Sequence, residues 1–195
     1  MKFRFPSVML SAIAVGLFAV APARAADSYK IDPVHATAIF RISHLGSSFV
    51  YGRFDDVGGT FTVDEQKPDD VSLDVTIKAD SVDTNNAARD KHLKSADFFS
   101  ANEFPTLTFK STAVKSDGDK KYDVTGDLTI HGVTQSVTAK VDFVGTFDGT
   151  SMKMGVRAGY EAHLTIKRSD FGMDKLVGLV GDEVQLTVSL EGVRQ

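Results

Sequence analysis

Five histidines are the side chains of this sequence whose chemistry is most often catalytic or metal-binding. They are His35, His44, His92, His131 and His163. No two of them show the spacing of a metal site, in which histidines one helical turn apart stand near an acid. The sequence contains no cysteine, which excludes disulfides, thiol catalysis and thiolate metal ligands. We therefore predict no metal, no cofactor and no catalytic group.

Two segments place a histidine near an acid: Asp-Pro-Val-His at 32–35 and Arg-Asp-Lys-His at 89–92. The simplest interpretation is a hydrogen bond that orients a turn or caps a helix, followed by ligand contact and then by catalysis. Arg89, Lys91 and Lys94 form a small basic cluster in the second region. We interpret this cluster as a solvated helix face, with contact to an anionic head group as the alternative.

The first 25 residues have the features of a secretory signal peptide. Lys2 and Arg4 form a basic start, an apolar run follows at 8–21, and Ala-Arg-Ala at 23–25 fits a cleavage site. The apolar run is shorter than the ~20 residues that a membrane-spanning helix needs. We predict cleavage after Ala25, a periplasmic location, and one domain at 26–195 that is not an integral membrane protein.

Charge restricts the partners of the exported chain. The complete sequence has a net charge of −4, and the predicted signal peptide carries three of its bases, Lys2, Arg4 and Arg24, without any acid. Cleavage therefore leaves a chain that is more acidic by three charges. This balance argues against nucleic acid and against an anionic membrane face as partners.

Alternation of apolar and polar residues, the pattern of strands with one apolar face, dominates the rest of the sequence. It is clearest at 152–167, where Met152, Met154, Tyr160 and Leu164 share a face. The same period occurs in seven further segments: 38–44, 49–63, 71–79, 107–113, 122–130, 133–143 and 184–190. The sequence thus predicts eight strands, with a bulge or bend in the second at Gly58 and Gly59.

Eight strands separated by short turns are expected to pair antiparallel and to bury their apolar faces together. A two-sheet sandwich and a closed barrel both achieve this burial. The length of the strands favours the barrel, because closure removes exposed edges. An eight-stranded barrel either fills its interior with side chains or encloses one small ligand, and composition does not distinguish the two.

Two segments lack the strand period. At 86–99 we predict a short helical insertion, with Asn86 capping a helix from Ala87 to about Lys94 and a further turn that places Phe98 and Phe99 on the barrel. The second irregular segment covers 169–182. Either segment is suited to covering or gating one mouth of the barrel.

A set of motifs follows in a fixed order along the chain. They include Asp-Pro-Val-His at 32–35, Gly-Arg-Phe at 52–54, Arg-Asp-Lys-His-Leu at 89–93, Gly-Asp-Leu-Thr-Ile-His-Gly-Val at 126–133 and Arg-Ser-Asp-Phe-Gly at 168–172. Together they resemble the YceI family of polyisoprenoid-binding proteins across essentially the whole predicted mature chain. The one visible departure is Phe171, where tryptophan is expected to be commonest in the family.

The resemblance implies an all-β fold, an extended eight-stranded antiparallel lipocalin-like barrel that is often dimeric. It also implies a lumen for a long-chain isoprenoid, such as a polyprenyl phosphate or a ubiquinone tail, held by a periplasmic carrier, reservoir or protector. Another long amphiphile, such as a fatty acid or fatty amide, is the alternative ligand. No catalytic residue comes with the family, and a histidine-dependent enzyme acting on lipids is the least favoured alternative.

Strand phase predicts which side chains face the lumen and contact the ligand. The apolar set is Phe40, Ile42, Leu73, Val75, Ile77, Phe109, Leu128, Val156, Tyr160, Leu164, Leu186 and Val188. Arg89, His92 and Arg168 are the polar residues expected near a mouth. Because burial of one methylene stabilises by about 0.8 kcal/mol, a long chain inside such a lumen is expected to exchange slowly.

Overall fold

The computed structural model describes residues 26–64 and 71–195, so the predicted signal peptide at 1–25 lies outside the described residues. The strands are β1 Asp27–Ile31, β2 Thr37–His44, β3 Ser48–Phe54, β4 Val57–Val63, β5 Ser72–Lys78, β6 Val82–Asp83, β7 Thr106–Ser116, β8 Lys121–Ile130, β9 Val133–Asp148, β10 Val156–Lys167 and β11 Val180–Arg194. Helix α1 covers Ala87–Leu93, and short 3₁₀ helices cover Ala79–Ser81, Thr150–Met152 and Arg168–Phe171. Within the two described ranges, no helix is long and apolar enough to cross a membrane.

The strands form a barrel of eight strands, three of which are interrupted. Each interrupted barrel strand consists of two of the shorter strands given above, so six of these are halves. β1 and β2 both pair with β11, while β4 pairs with β1 and β5, and β3 pairs with β2 and β6. Joining these halves leaves eight antiparallel barrel strands in sequential order, and the β1–β11 pairing closes the ring. The predicted fold, an eight-stranded antiparallel barrel with one short helical insertion, is confirmed.

The strand breaks have local causes. Pro33 between β1 and β2 lacks a backbone N–H and cannot donate to a ladder. The Ala79–Ser81 helix separates β5 from β6. The bend that we predicted at Gly58 and Gly59 is misplaced, because both residues pair regularly with β5. Position 59 instead requires glycine because the backbone there lies very close to β5. Its φ is +133°, and a Cβ there would lie 2.0 Å from the carbonyl oxygen of Asp74.

The long strand predicted from residue 152 begins later. Residues Thr150–Met152 form a 3₁₀ turn, Lys153 has a φ of +59°, and β10 starts only at Val156. Met152 and Met154 are consequently exposed rather than inside the barrel. The alternating pattern continued through this turn by coincidence, since a period of two in composition does not reveal a left-handed residue between strands.

Side chains of β10 and β11 illustrate how the alternation separates the two faces of the wall. Leu164 lies opposite Leu186, and both face the interior. The next pair, His163 and Thr187, faces outward and joins through a 3.2 Å contact between Nδ1 and Oγ1. The predicted strand phase therefore holds along this part of the barrel.

Helix α1 begins as predicted. The Asn86 side chain accepts a hydrogen bond of 3.0 Å from the Arg89 backbone N–H, which satisfies one free donor of the first turn. After the helix, a turn at Ser95 directs Phe98 and Phe99 towards the barrel, where Phe98 is buried and Phe99 packs against the core. The insertion thus covers the end at which β2, β8 and β10 finish, and we call this end the mouth.

Candidate functional site

The barrel encloses a cavity of about 380 Å³. This volume falls in the range of about 300–1,000 Å³ that is typical of ligand pockets. The inward faces of β2, β3, β5, β7, β8, β9, β10 and β11 form its wall, and the insertion and the segment before β11 complete it at the mouth. Apolar side chains dominate this lining, and its polar members lie mainly towards the mouth.

Most of the residues predicted from strand phase line this cavity. The apolar ones are Phe40, Ile42, Leu73, Val75, Ile77, Phe109, Leu128, Leu164, Leu186 and Val188. The polar ones are Arg89, His92 and Arg168. The structure thus brings these thirteen side chains together around one space, and their contact with a ligand stays a prediction.

Val156 and Tyr160 do not line the cavity. Val156 is the first residue of β10 and lies opposite Asp148, at the end of the barrel away from the mouth. Tyr160 faces inward but packs between Phe61 and Phe143, with ring centroids 5.5 and 5.2 Å away. Strand phase correctly gave the direction of Tyr160 but not its depth, which depends on where the barrel becomes filled.

An aromatic floor closes the end away from the mouth. It consists of Tyr29, Phe61, Phe143 and Tyr160, and Tyr29 stacks on Phe61 with centroids 4.9 Å apart. Tyr29 and Phe61 are almost wholly buried. Burial raises the pKa of the Tyr160 phenol well above its ordinary value, so this hydroxyl stays protonated. None of these four residues lines the cavity, so the cavity stops short of the floor.

The predicted set omitted two groups of cavity residues, one that the sequence pattern indicates and one that it does not. Val124, Val141 and Ile166 share the predicted strand phase, and the alternating pattern was sufficient to find them. Phe98, Phe99, Met173 and Leu176 lie in irregular segments, where no periodic signal exists to indicate which side chains point inward.

At the mouth, a hydrogen-bond network holds Arg89 in a fixed position. Its Nε donates to Thr84 Oγ1 and its Nη2 to the Thr84 carbonyl oxygen, both at 2.7 Å. Asp90 in turn accepts from the Thr84 hydroxyl at 2.5 Å and from the Thr84 backbone N–H at 2.9 Å. The Thr84 hydrogen bonds hold the pKa of the Asp90 carboxyl below its usual value. Thr84 is therefore the buried anchor of an arginine at the cavity entrance.

His92 lies beside this network on the same helix. Its Nε2 is 2.9 Å from Asp97 Oδ2, and its ring packs edge-on against Phe98 with centroids 5.0 Å apart. The contact with His92 is the main cause that lowers the pKa of the Asp97 carboxyl, and Lys175 adds to it. The acid and the aromatic ring thus fix the histidine at the cavity edge.

Arg168 is buried, with only 3% of its surface exposed. Its guanidinium donates hydrogen bonds of 2.5–3.2 Å to the main-chain carbonyl oxygens of Met173, Lys175, Val180 and Gly181. Burial lowers the pKa of this guanidinium, although an arginine remains protonated. The side chain therefore fixes the segment 173–181 across the mouth while also lining the cavity.

The five histidines do not share one site. His44 and His92 line the cavity, and Asp97 accompanies His92. His131 packs on Phe104, and His163 lies on the outer surface of the barrel near Glu161. His35 belongs to a separate ionic cluster. The hypothesis of a histidine-dependent enzyme required two or more of His35, His44, His92 and His163 to converge with an acid in one pocket. His44 and His92 both line the cavity and Asp97 contacts His92, whereas His35 and His163 lie outside it, so the hypothesis stays an alternative.

That separate cluster, the Asp32 clasp, consists of Asp32, His35, Arg157 and Glu191. His35 Nδ1 and Arg157 Nη1 lie 2.9 and 3.0 Å from Asp32 Oδ2, and Arg157 also contacts Glu191. The hydrogen bonds from His35 and then Arg157 lower the pKa of Asp32 to about 2. Asp32, His35 and Glu191 are the one group of three potential metal ligands among the described residues. Because Arg157 occupies both carboxylates, the clasp fits an ionic tie between β10, β11 and the β1–β2 break.

A closed eight-stranded antiparallel barrel with an apolar lumen and one capped mouth is a lipocalin-like barrel. The chain belongs to the YceI family, since the YceI-like domain matches residues 29–192. A "UPF0312 protein" of Pseudomonas aeruginosa is 49% identical over 190 residues, covering 95% of this chain and 97% of the relative. "Protein YceI" of Shigella flexneri is 49% identical over 181 residues, covering 92% and 93%.

Solved structures show the same barrel. Burkholderia cenocepacia BcnA superposes with a TM-score of 0.75 at 27% identity, covering 83% of this chain and 98% of that protein. The Campylobacter jejuni YceI protein has a TM-score of 0.68 at 32% identity, covering 78% and 89%. A polyisoprenoid binding domain from Saccharophagus degradans has a TM-score of 0.65 at 17% identity, covering 86% and 98%, which shows a shared fold.

Proposed function

We propose that this protein binds one long-chain isoprenoid lipid, such as a polyprenyl phosphate or a quinone with an isoprenoid tail, inside the barrel. In this role it acts as a periplasmic carrier, reservoir or protector of the lipid. The observation that carries the proposal is the apolar cavity, closed by the aromatic floor and bordered by polar groups at the mouth. A lipid has the matching arrangement, with an apolar hydrocarbon tail for the cavity and a polar head for the mouth.

The energetics of the wall favour an apolar occupant. Water gains few hydrogen bonds in a cavity lined by leucine, valine and phenylalanine side chains, so such spaces stay dry. An empty cavity also deprives its lining of dispersion contacts on one side. A hydrocarbon chain restores these contacts and gains about 0.8 kcal/mol for each buried methylene. Ordering of the chain offsets part of this gain.

The mouth supplies groups for a polar head. Arg89 is oriented by Thr84 and borders the cavity, and a guanidinium donates to phosphate or carbonyl oxygens. Arg89 is exposed, so a head group there remains partly in water and keeps much of its hydration. The structural neighbour from Saccharophagus degradans is a polyisoprenoid binding domain, which supports the isoprenoid class.

A fatty acid or fatty amide is the second candidate ligand, because an unbranched chain fits the same apolar lining. Uptake by delipidated protein separates the two classes. We would compare decaprenyl phosphate, ubiquinone and palmitic acid in displacement of a fluorescent lipid probe. The proposal predicts tightest binding for an isoprenoid, with the lipid recovered chemically unchanged. Preferential uptake of palmitic acid would indicate that the ligand is a fatty acid or fatty amide. Recovery of a chemically altered lipid would indicate an enzyme.

A homodimer, implied by the resemblance, is a further part of the proposal. It is tested by the sedimentation of the mature chain at increasing concentration, where a single monomer species would contradict it.

A further inference from the structure

Two leucines at the mouth adopt a backbone conformation that leucine disfavours. Leu45 has a φ of +53° and Leu176 a φ of +60°. Leu45 and Gly46, with φ of +64°, occupy the centre of the β2–β3 hairpin turn, which the Ser47 N–H closes by donating to the His44 oxygen at 3.1 Å. Such a turn prefers asparagine, aspartate or glycine. A leucine in this position points to a requirement other than stability.

These leucines belong to one exposed apolar surface, which we call the mouth rim. It consists of Leu45, Leu176, Val177 and Leu179, which are 41–58% exposed. The Leu45 backbone N–H donates to the Leu179 carbonyl oxygen at 2.7 Å and thereby joins the two turns. Four large aliphatic side chains thus project into solvent side by side, whereas isolated exposed apolar residues are ordinary.

The mouth rim is continuous with the cavity. Leu176 belongs to both, and Met173 and Val180 line the cavity on either side of the exposed rim residues. Arg168 fixes this segment through its hydrogen bonds to four carbonyl oxygens, so the rim is held by the fold. An apolar path therefore leads from the lumen to the outer surface.

Basic side chains accompany the rim. Helix α1 and its C-cap, which also border the mouth, carry Arg89, Lys91 and Lys94, and the one acid of the helix, Asp90, is turned towards Thr84. The nearby acid Asp97 contacts His92 and Lys175, and Asp182 accepts hydrogen bonds from Ser169. Asp170, Asp174 and Glu183 also lie in or beside the rim segment. The chain as a whole is acidic, so the basic side chains of helix α1 and its C-cap form a local cluster beside the rim.

We propose that the mouth rim docks on a phospholipid bilayer, with its aliphatic side chains entering the head-group region and the helix α1 cations facing lipid phosphates. Apolar insertion combined with cationic contacts is how proteins bind membranes peripherally. This inference rests on the proposed function, because docking lets a lipid pass between bilayer and cavity without exposing its chain to water. The net acidic charge of the chain opposes the contact, so the aliphatic side chains carry it.

The test is co-sedimentation of the mature protein with vesicles of phosphatidylethanolamine and phosphatidylglycerol. The rim variant is Leu45→Asn, Val177→Ser and Leu179→Ser, which spares the cavity residue Leu176. The control variant is Val144→Ser, Met152→Ser and Met154→Ser, which removes three exposed apolar side chains at the other end of the barrel. We expect the rim variant to bind vesicles at least about tenfold more weakly, and the control to bind like the wild type.

Folding and ligand content are followed separately. Leu45→Asn alone is expected to melt no lower than the wild type, because asparagine suits a positive φ. Native mass spectrometry of each variant shows whether bound lipid is retained. The docking proposal alone would be wrong if the wild-type protein carries lipid but does not bind vesicles. It would also be wrong if the rim and control variants lose the same fraction of vesicle binding. Vesicle binding by a protein that takes up no lipid would overturn the proposed function alone.

A second copy of the chain is the rival occupant of the rim. If the wild type is dimeric, the rim variant is monomeric and neither binds vesicles, the rim is a dimer interface and the proposal is wrong.

Discussion

The two ends of the barrel are built from the same strands and differ in how they use apolar side chains. At the floor, Tyr29, Phe61, Phe143 and Tyr160 pack against one another and fill the cross-section. Towards the mouth, the inward aliphatic and phenylalanine side chains line the wall without filling the cross-section and leave a cavity of about 380 Å³. The packing of the inward side chains therefore divides one barrel into a packed part and a hollow part.

The ends also differ in how they are tied. The Asp32 clasp near the floor joins strands through ion pairs between side chains. At the mouth, Arg168 binds main-chain carbonyls and Arg89 binds Thr84, so cations there support irregular backbone. The comparison indicates that stability is concentrated at the floor and that the mouth keeps room for a ligand. Four predictions, two of which include a matched variant, test this division.

Phe61→Ala is expected to have the largest effect. Removing this ring from the floor leaves a void beside Tyr29 and Tyr160 and lowers the free energy of unfolding by about 3–5 kcal/mol. Urea unfolding measures the loss. The matched variant is Leu186→Ala in the cavity wall, which is expected to lose clearly less because its side chain already borders empty space. Equal losses would mean that the two parts are packed alike.

Arg168→Met comes next. It removes four hydrogen bonds to buried and part-buried main-chain carbonyl oxygens and is expected to cost about 2–4 kcal/mol of unfolding free energy. Arg89→Met, on the exposed side of the mouth, is expected to cost less than about 1 kcal/mol and to weaken retention of a ligand with an anionic head. Thermal unfolding and ligand release rates check the pair. A stable Arg168→Met protein would contradict the role of this side chain in fixing the segment 173–181.

Leu128→Trp is expected to change ligand content more than stability. The larger ring enters the hollow part, so the free energy of unfolding should change by less than about 2 kcal/mol. The amount of bound lipid should fall at least about tenfold, since the cavity is partly filled. Quantitative lipid extraction from wild type and variant measures it. Full lipid content in a folded variant would place the ligand elsewhere.

Asp32→Asn is expected to have a smaller effect than Phe61→Ala or Arg168→Met, on the order of 1–2 kcal/mol at neutral pH, because its partners remain partly in water. The pKa of Asp32 is lowered from 3.8 to about 2, so the unfolded chain takes up its proton at a higher pH than the folded one. The stabilisation is thus complete above about pH 4 and disappears as the pH falls towards 2. Urea midpoints measured across this window should show a shallower slope for the variant, and identical slopes would contradict the clasp.

Strand phase predicted the barrel and most of the cavity wall because a period of two directly reports which face is buried. It did not predict the start of β10, since Lys153 adopts a left-handed conformation within an apparently regular pattern. Nor did it predict the depth of Tyr160. Whether an inward side chain meets a ligand or another ring depends on residues from distant strands, here Phe61 and Phe143.

The mouth was the least predictable part. Asn86 marked the start of helix α1 correctly, because capping is a local interaction. The role of Arg168 in binding carbonyls across the segment 173–181 has no sequence signal, because main-chain acceptors look alike in any sequence. The exposure of Leu45 and Leu179 likewise follows from the meeting of two turns.

The most direct test of the central claim, that the hollow part of the barrel holds one long apolar ligand, is native mass spectrometry of the protein as isolated. It is followed by solvent extraction and identification of any bound lipid. The account predicts one bound mass for each chain, matching an isoprenoid lipid. A protein that carries no lipid, and that also fails to take up decaprenyl phosphate, ubiquinone or palmitic acid after delipidation, would contradict it.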